Sequence, residues 1–425
     1  MSLLIKNAMI VNPDKAGKNS QDILIEKGLI KKIESSIKDS AAQTIDAKGF
    51  LVMPGLIDMH VHFREPGQEH KETIESGSKA AAKGGFTTVM CMPNTSPVID
   101  NKSIVESIIK EAKRVGLVNV IPVGAITKGL KGEELTEMFE LKASGCLALS
   151  DDGRCVTNSR LMRLAFEYAK MVDILLIQHC EDHCMTHQAV MNEGLNSTIL
   201  GLRGWPAAAE SIIVGRDIEL AQYLGGRIHF AHISSARSVE LIRQAKAQGL
   251  LVTAEACPHH FSLTDDELKS FNSNAKVNPP LRAKEDVKAI KEAIKEGIID
   301  CIATDHAPHT REDKELGLDH APCGMIGLET AVGLTISELV KSKMLSWSQM
   351  VERMSSAPAK ILGLKLKGEI KEGFDADIVI IDPNKEWIVS ENDFVSKSIN
   401  SPFVGRRLNG KVETTICNGK VVYQA

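Results

Sequence analysis

The sequence predicts an α/β fold: a (β/α)8 TIM barrel carrying a small β-sandwich domain formed by the N- and C-terminal segments. Three observations predict it. Short apolar runs recur eight times between residues 56 and 304, stretches of helical periodicity separate them, and both chain ends read as alternating strands with tight turns. Strand–helix alternation of this kind argues for parallel βα units, and eight units close a barrel. An open doubly wound sheet is the competing architecture, but no GxGxxG follows the first strand.

Residues 1–52 open the chain with short runs such as DILIEKGLIKKIE, turning at Gly28, and form the first part of the small β domain. The barrel occupies 53–365 and begins with LIDMHVHF (56–63). Six further strands each follow a glycine: FTTVMCM after Gly84-Gly85, LVNVIPV after Gly116, CLALS after Gly145, RIHFAHI after Gly225-Gly226, LLVTAEA after Gly249 and IIDCIAT after Gly297. Glycine just past a helix end supplies a left-handed cap from which the chain turns back into a strand. DILLIQH (173–179) completes the eight without that signal. Between the strands, HKETIESGSKAAAKG (70–84), SARSVELIRQAKAQG (235–249) and KEDVKAIKEAIKEG (284–297) space their apolar residues three and four apart, as helices do. Residues 366–425 return to strand style with DADIVIID and TTICNGKVVY, where Asn418-Gly419 marks a two-residue hairpin. Pairing the two ends in one small β domain is the simplest arrangement.

Composition narrows the function classes. Of the 425 residues, 43% are hydrophobic and 25% charged, which excludes disorder, collagen-like repeats and a coiled coil. A net charge of −4 leaves no basic excess to follow nucleic-acid phosphates. No stretch approaches the ~20 apolar residues that cross a bilayer. MSLLIKNAMIV is broken by Lys6 and Asn7 and does not read as a secretory signal. Nine scattered cysteines, an odd number, fit reduced thiols and hence a cytoplasmic protein. Cys180 and Cys184 flank His183, but without a second cysteine pair they make no zinc knuckle.

Active sites of such barrels lie at the C-terminal strand ends. The first strand ends in His60-Val61-His62, and side chains two apart on a strand share a face, so both imidazoles can hold one cation. Ile57, Met59 and Val61 fall on the other face and are expected against the helices. Strand four ends in Asp151-Asp152, strand five in His179, strand six in His232 and strand eight in Asp305-His306. Parity selects Asp152, together with Cys146, Ala148 and Ser150, while Leu147 and Leu149 face the helices. It groups His232 with Ile228 and Phe230, opposite His229, and Asp305 with Cys301 and Ala303. Taken singly, each histidine reads as a hydrogen-bonded structural residue, Asp152 as a helix cap and Asp305 as a loop cap. Taken jointly, four histidines and two aspartates at one end of five strands need cations to satisfy them. His183, His187, His229 and His320 read as surface or packing residues, and Met90 and Met92 as barrel filling.

These residues carry a resemblance. DMHVHFREP (58–66) and ATDHAPHTREDK (303–314) resemble the two signature segments of type I dihydroorotases, in the amidohydrolase superfamily. MPNT (92–95), SDDG (150–153), QHCED (178–182), AHIS (231–234), EACPHH (255–260) and NPPLR (278–282) match the same family in order. The resemblance implies reversible cyclisation of N-carbamoyl-L-aspartate to L-dihydroorotate in pyrimidine (UMP) synthesis. It implies two zinc ions per chain, one held by His60, His62 and Asp305, a second by His179 and His232, with Asp152 bridging. Many relatives, among them hydantoinases, dihydropyrimidinases and allantoinases, bridge with a carbamylated lysine at the end of strand four. Here Lys142 lies before that strand begins.

The resemblance further implies substrate contacts from His62, Arg64, Asn94, Asn278 and His309, and from the Cys323-Gly324 turn. It implies attack by a metal-bound hydroxide, with Asp305 as general acid and base. Arg64 offers a planar fork to the carboxylate that distinguishes dihydroorotate from dihydrouracil or hydantoin. A homodimer and an association with aspartate transcarbamoylase are expected partners, beside the small-molecule substrate. The alternatives are another cyclic amidase, such as an allantoinase or dihydropyrimidinase, and a non-catalytic dihydroorotase-like partner of that transcarbamoylase. Loops 181–206 and 309–325 are long and lie at the catalytic end, as segments that close over substrate do.

Overall fold

The computed structural model describes residues 2–14, 17, 19–38 and 43–425. The chain begins with β1 (Ser2–Ile10), β2 (Gln21–Glu26), β3 (Leu29–Glu34), β4 (Gln43–Asp46) and β5 (Leu51–Pro54). The barrel strands are β6 (Leu56–Val61), β7 (Phe86–Cys91), β8 (Asn119–Pro122), β9 (Ala148–Ser150) and β10 (Leu175–Gln178). A two-strand excursion, β11 (Met191–Asn192) with β12 (Gly204–Trp205), precedes the last three, β13 (Ile228–Phe230), β14 (Val252–Ala256) and β15 (Cys301–Ile302). The chain ends with β16 (Ile378–Ile388), β17 (Arg407–Cys417) and β18 (Lys420–Gln424).

All eight expected barrel strands are present in order. β6, β7 and β8 pair in parallel, as do β9, β10, β13, β14 and β15. Parallel bridges Gly124–Leu149 and Val61–His306 join the two groups at both seams and close the barrel. Helices return the chain between strands. In Lys102–Val115 the Asn101 side chain accepts from the N–H groups of Ser103 and Ile104, and Gly116 at φ 64° ends the helix in the left-handed conformation expected of that glycine. Lys284–Glu296 ends in the same way on Gly297.

Apolar residues divide into two layers. Val89, Leu149, Leu176, Phe230 and Ile302 face outward and meet Phe166, Ile213, Ile242 and Ile290 from the helices. Ile57, Met59, Met90, Met92, Val123, Ala148, Ile177, Ala231 and Cys301 form a separate cluster. Residues from so many strands of a closed barrel meet only at its axis, so this second cluster fills the interior. Ile57 and Met59 therefore point inward, against the parity expectation; the pairing of β6 with β7 shifts register between Asp58 and Val61, and Val61 lies with the helices. Ile228 and Phe230 also lie outward, while His229 bonds within the barrel to Glu255. Cys146 and Leu147 precede β9, and Cys146 packs on the helix side rather than the axis.

The two chain ends build one eight-stranded sheet, ordered β18-β17-β16-β5-β1-β2-β3, with β4 also paired to β1. β1 pairs parallel with β4 through Leu3–Lys6 and with β5 through Met9–Ile10, so it carries both halves. Ile5, Ile23, Ile25 and Ile30 from one half and Val52, Ile378, Ile380 and Ile416 from the other share one buried cluster. Burying each such side chain is worth about 1.5–3 kcal/mol. Residues 396–400 then run back to the barrel mouth, where Ser396 bonds Glu72 and Asn400 bonds the 307–309 turn. Among the described residues no helix is long and apolar enough to cross a membrane. All nine cysteines are unpaired.

Candidate active site

The strand ends bring the expected donors together. His60 Nε2 lies 3.2 Å from Asp152 Oδ1 and 3.7 Å from Asp305 Oδ1. His62 Nε2 lies 3.0 Å from Asp305 Oδ1 and 3.5 Å from Asp152 Oδ2. His179 Nδ1 and His232 Nε2 are 3.0 Å apart, and each approaches Asp152 Oδ1, at 3.6 and 3.3 Å. Asp152 thus touches all four imidazoles, and all six residues are buried. His232 lies two residues beyond the end of β13 and reaches the centre with φ 33°, so a backbone turn, not strand parity, aims it. Asp305 and Arg64 also hold left-handed backbones, at φ 48° and 61°. Non-glycine residues seldom occupy that region, and those that do cluster at functional sites.

A second layer orients the first. His60 Nδ1 is 2.7 Å from Glu255 Oε1, and Glu255 Oε2 is 3.1 Å from His229 Nε2. His179 Nε2 is 3.0 Å from Glu181 Oε2, which also accepts from Asn278 Nδ2 at 2.9 Å. His62 Nδ1 is 2.9 Å from Asn94 Oδ1. Asp58 accepts from the N–H and hydroxyl of Thr304 at 3.1 and 2.6 Å, tying β6 to the strand that delivers Asp305.

The electrostatics call for positive charge. Burial alone would push His60 down, but the Asp152 charge and its hydrogen bonds to Asp152 and Glu255 hold it well above the ordinary histidine value. Burial would raise Asp152, yet the His60 charge and bonds from His179, His232 and His60 hold it well below the carboxylate range. His179 is opposed by burial and raised to about 10 by Asp152 and Glu181. Protonated imidazole therefore compensates the carboxylates when no cation does. The donor set fits divalent cations: neutral imidazole and carboxylate are standard zinc ligands. His60 Nε2 is buried, with carboxylate oxygens of Asp152 and Asp305 3.2 and 3.7 Å away, an arrangement that a shared cation would satisfy.

These groups open into a cavity of about 210 Å³. It is lined by His62, Arg64, Asn94, Asp152, His179, His232, Asn278, Asp305, His309, Cys323 and Gly324, with Gly153 and Ala307. Every expected site residue except His60, which lies beneath, faces this space. Arg64 Nε donates to Pro308 O at 3.2 Å, and Nη2 lies 3.3 Å from His309 Nε2. Burial lowers Arg64 to about 10, where it stays charged. Burial, and the Arg64, Lys71 and Lys314 charges, push His309 down to about 2, so its ring is neutral. Lys71 Nζ lies 3.3 Å from His309 Nδ1 and His309 Nε2 lies 2.9 Å from Cys323 O, which assigns the ring proton to Nε2.

Both long loops are cross-linked, the first to Arg282 outside it and the second within itself. Arg282 donates to Asn192 Oδ1 at 3.1 Å and Trp205 O at 3.0 Å. Lys314 Nζ donates to Pro322 O and Gly324 O at 2.8 and 2.9 Å. Glu255, Glu181 and Asn400 were not expected as site residues. Glu255 lies in the EACPHH segment at the end of β14, and its position at a strand end was the available signal; Asn400 had none. His183 is partly exposed and touches Glu181 at 3.1 Å, while His187 and His320 are exposed, as expected of surface residues.

With this geometry established, similarity to known proteins becomes informative. A family model described as Dihydro-orotase-like matches residues 49–238, and one described as Amidohydrolase family matches residues 223–423. A protein from Trichlorobacter lovleyi named Dihydroorotase is 50% identical over 424 residues, covering 100% of this chain and 99% of its own. One of the same name from Acetivibrio thermocellus is 52% identical over 420 residues, covering 99% of this chain and 98% of its own. Among solved structures, an L-hydantoinase (dihydropyrimidinase) from Arthrobacter aurescens aligns with a TM-score of 0.88 at 27% identity, over 99% of this chain and 96% of that one. Half of all positions shared along the entire length, with the donors clustered at one barrel mouth, leaves one conclusion: the chain belongs to the dihydroorotase family of the metal-dependent amidohydrolases.

Proposed function

We propose that this protein is a dihydroorotase, a hydrolase of cyclic amides that interconverts L-dihydroorotate and N-carbamoyl-L-aspartate. The observation that carries the reading is one cavity into which a fixed guanidinium, Arg64, and five of the six clustered donors open together. Arg64 takes the substrate carboxylate in its fork. Asn94 Oδ1 is engaged with His62, leaving its amide N–H groups to donate to a substrate oxygen. Asn278 Nδ2 is engaged with Glu181, leaving its oxygen to accept from a ring N–H.

His60, His62 and Asp305 would hold one zinc ion and His179 and His232 a second, with Asp152 between them. Bound cations supply Lewis acidity at the ring carbonyl and lower the pKa of water toward ~7. Asp305 accepts the proton of the attacking water as the new C–O bond forms. It returns that proton to the ring nitrogen as the C–N bond breaks, and the reverse sequence closes the ring.

The hydantoinase alternative requires a lysine at the strand-four tip. Lys142 instead donates to Val172 O and Asp173 O, at 2.6 and 2.8 Å, on the outer helices. A non-catalytic role is opposed by six filled donor positions. Cytoplasmic residence accords with nine unpaired cysteines. A homodimer and a complex with aspartate transcarbamoylase belong to the same reading, and sedimentation alone and with that enzyme tests both. The deciding experiment assays purified protein on dihydroorotate, dihydrouracil and allantoin before and after chelation. Turnover of dihydroorotate only, abolished by chelator and restored by zinc, is expected; preference for another cyclic amide overturns the proposal.

A further inference from the structure

The end of β14 delivers a separate set of donors. Cys257 follows the strand directly and precedes the short helix Pro258–Ser262, which carries His259 and His260. Cys257 Sγ and one nitrogen of each ring lie within 4.8 Å of one another. Tetrahedral zinc, with bonds of ~2.0–2.3 Å, needs donors about 3.3–3.8 Å apart, so small side-chain rotations converge these three on one ion. All three residues are buried.

The hydrogen-bond accounting points the same way. His260 Nε2 lies 3.0 Å from Pro279 O, so it carries the proton and Nδ1 keeps a lone pair. That Nδ1 is buried without a hydrogen-bond partner, and so is His259 Nε2. A carbonyl that fixes the tautomer of a histidine from behind is the usual outer partner of a metal ligand. His229, Glu255 and Cys301 are equally close to one another, but they have nothing spare. There, Thr253 Oγ1 at 2.9 Å and Glu255 Oε2 at 3.1 Å engage both nitrogens of His229.

We propose that Cys257, His259 and His260 bind a further divalent cation of the zinc class, apart from the six-residue centre. One thiolate with two imidazoles is a donor set that zinc and cobalt accept, and three protein ligands leave a fourth position open. On binding, the Cys257 S–H bond breaks, its electron pair goes to the cation and its proton to solvent. The ion would pin the tip of β14 and, through His260 and Pro279, the turn that carries Asn278. This inference does not rest on the catalytic reading: a protein inactive toward dihydroorotate leaves it unchanged.

Cobalt substitution tests it, because the six-residue centre offers only nitrogen and oxygen. Metal-stripped full-length protein titrated with Co2+ is expected to develop a sulfur-to-cobalt charge-transfer absorption in the near ultraviolet. That band should be lost in Cys257→Ser, retained in Cys301→Ser and weakened in His259→Gln and His260→Gln. No band in the wild type, or an unchanged band in Cys257→Ser, overturns the proposal. Should Cys257→Ser fail to fold, X-ray absorption on zinc-loaded wild type decides, since a sulfur scatterer at ~2.3 Å is required and its absence is disproof.

Discussion

Glu255 Oε1 and His60 Nδ1 stand 2.7 Å apart, both fully buried, and this contact decides which nitrogen of His60 is available to a cation. A neutral His60 donates from Nδ1 to the carboxylate, so the Nε2 lone pair faces Asp152 and Asp305. Such outer partners typically govern metal affinity by 10–100-fold. Glu255→Ala is therefore expected to weaken cation binding by roughly that factor, read as metal content after dialysis against graded chelator. An unchanged affinity would mean that His60 is oriented by packing alone.

Asp305 contacts His62 at 3.0 Å and His60 at 3.7 Å, and it also lines the cavity at the barrel mouth. Its amide analogue keeps the shape and loses the base. Asp305→Asn should retain part of the metal while kcat falls by about 10²–10⁴, the usual range for a general acid–base group. Near-normal turnover at equal metal content would remove Asp305 from proton transfer.

Much of this is legible in the amino-acid sequence. Strand ends point to one mouth in a barrel, so listing the polar residues at those ends already collected His60, His62, Asp152, His179, His232 and Asp305. Alternation along a strand was a weaker guide, because it assumes regular backbone. It misplaced Ile57 and Met59, where β6 shifts register, and it grouped His232 with Phe230, although a left-handed turn beyond β13 aims the imidazole. Glu255 acts on a partner 195 positions away and Asn400 on one 91 away. Contacts at such separation leave no local pattern in composition or spacing; only the closed barrel and the returning C-terminal segment bring them together.

Arg64 is 7% exposed and held from behind by Pro308 O, so the fork proposed to take the substrate carboxylate is already oriented. Hydrogen bonds to charged groups contribute about 1.5–3 kcal/mol, or roughly 10–100-fold in binding. Arg64→Ala should raise KM for dihydroorotate by that order and reduce its advantage over dihydrouracil, while metal content stays unchanged. Arg64→Lys should recover only part of the loss, because an ammonium group cannot pair with both carboxylate oxygens in a plane. Steady-state kinetics on the two substrates separates these outcomes.

Asn400 reaches the pocket from the C-terminal segment and makes three bonds to backbone there. Its Oδ1 accepts from His309 N at 3.1 Å, and its Nδ2 donates to Ala307 O at 3.2 Å and Gly324 O at 3.1 Å. One buried amide thus spans two turns that line the cavity. Leaving such groups unpaired costs about 1–3 kcal/mol, so Asn400→Ala should lower the melting temperature and raise KM, with the metal centre unaffected. Asn400→Asp is the sharper test. It keeps the acceptor for His309 but sets a carboxylate against two carbonyl oxygens, so it should perform worse than alanine despite being nearly isosteric. Wild-type KM in Asn400→Asp would show that the Ala307 and Gly324 bonds do not hold the pocket in shape.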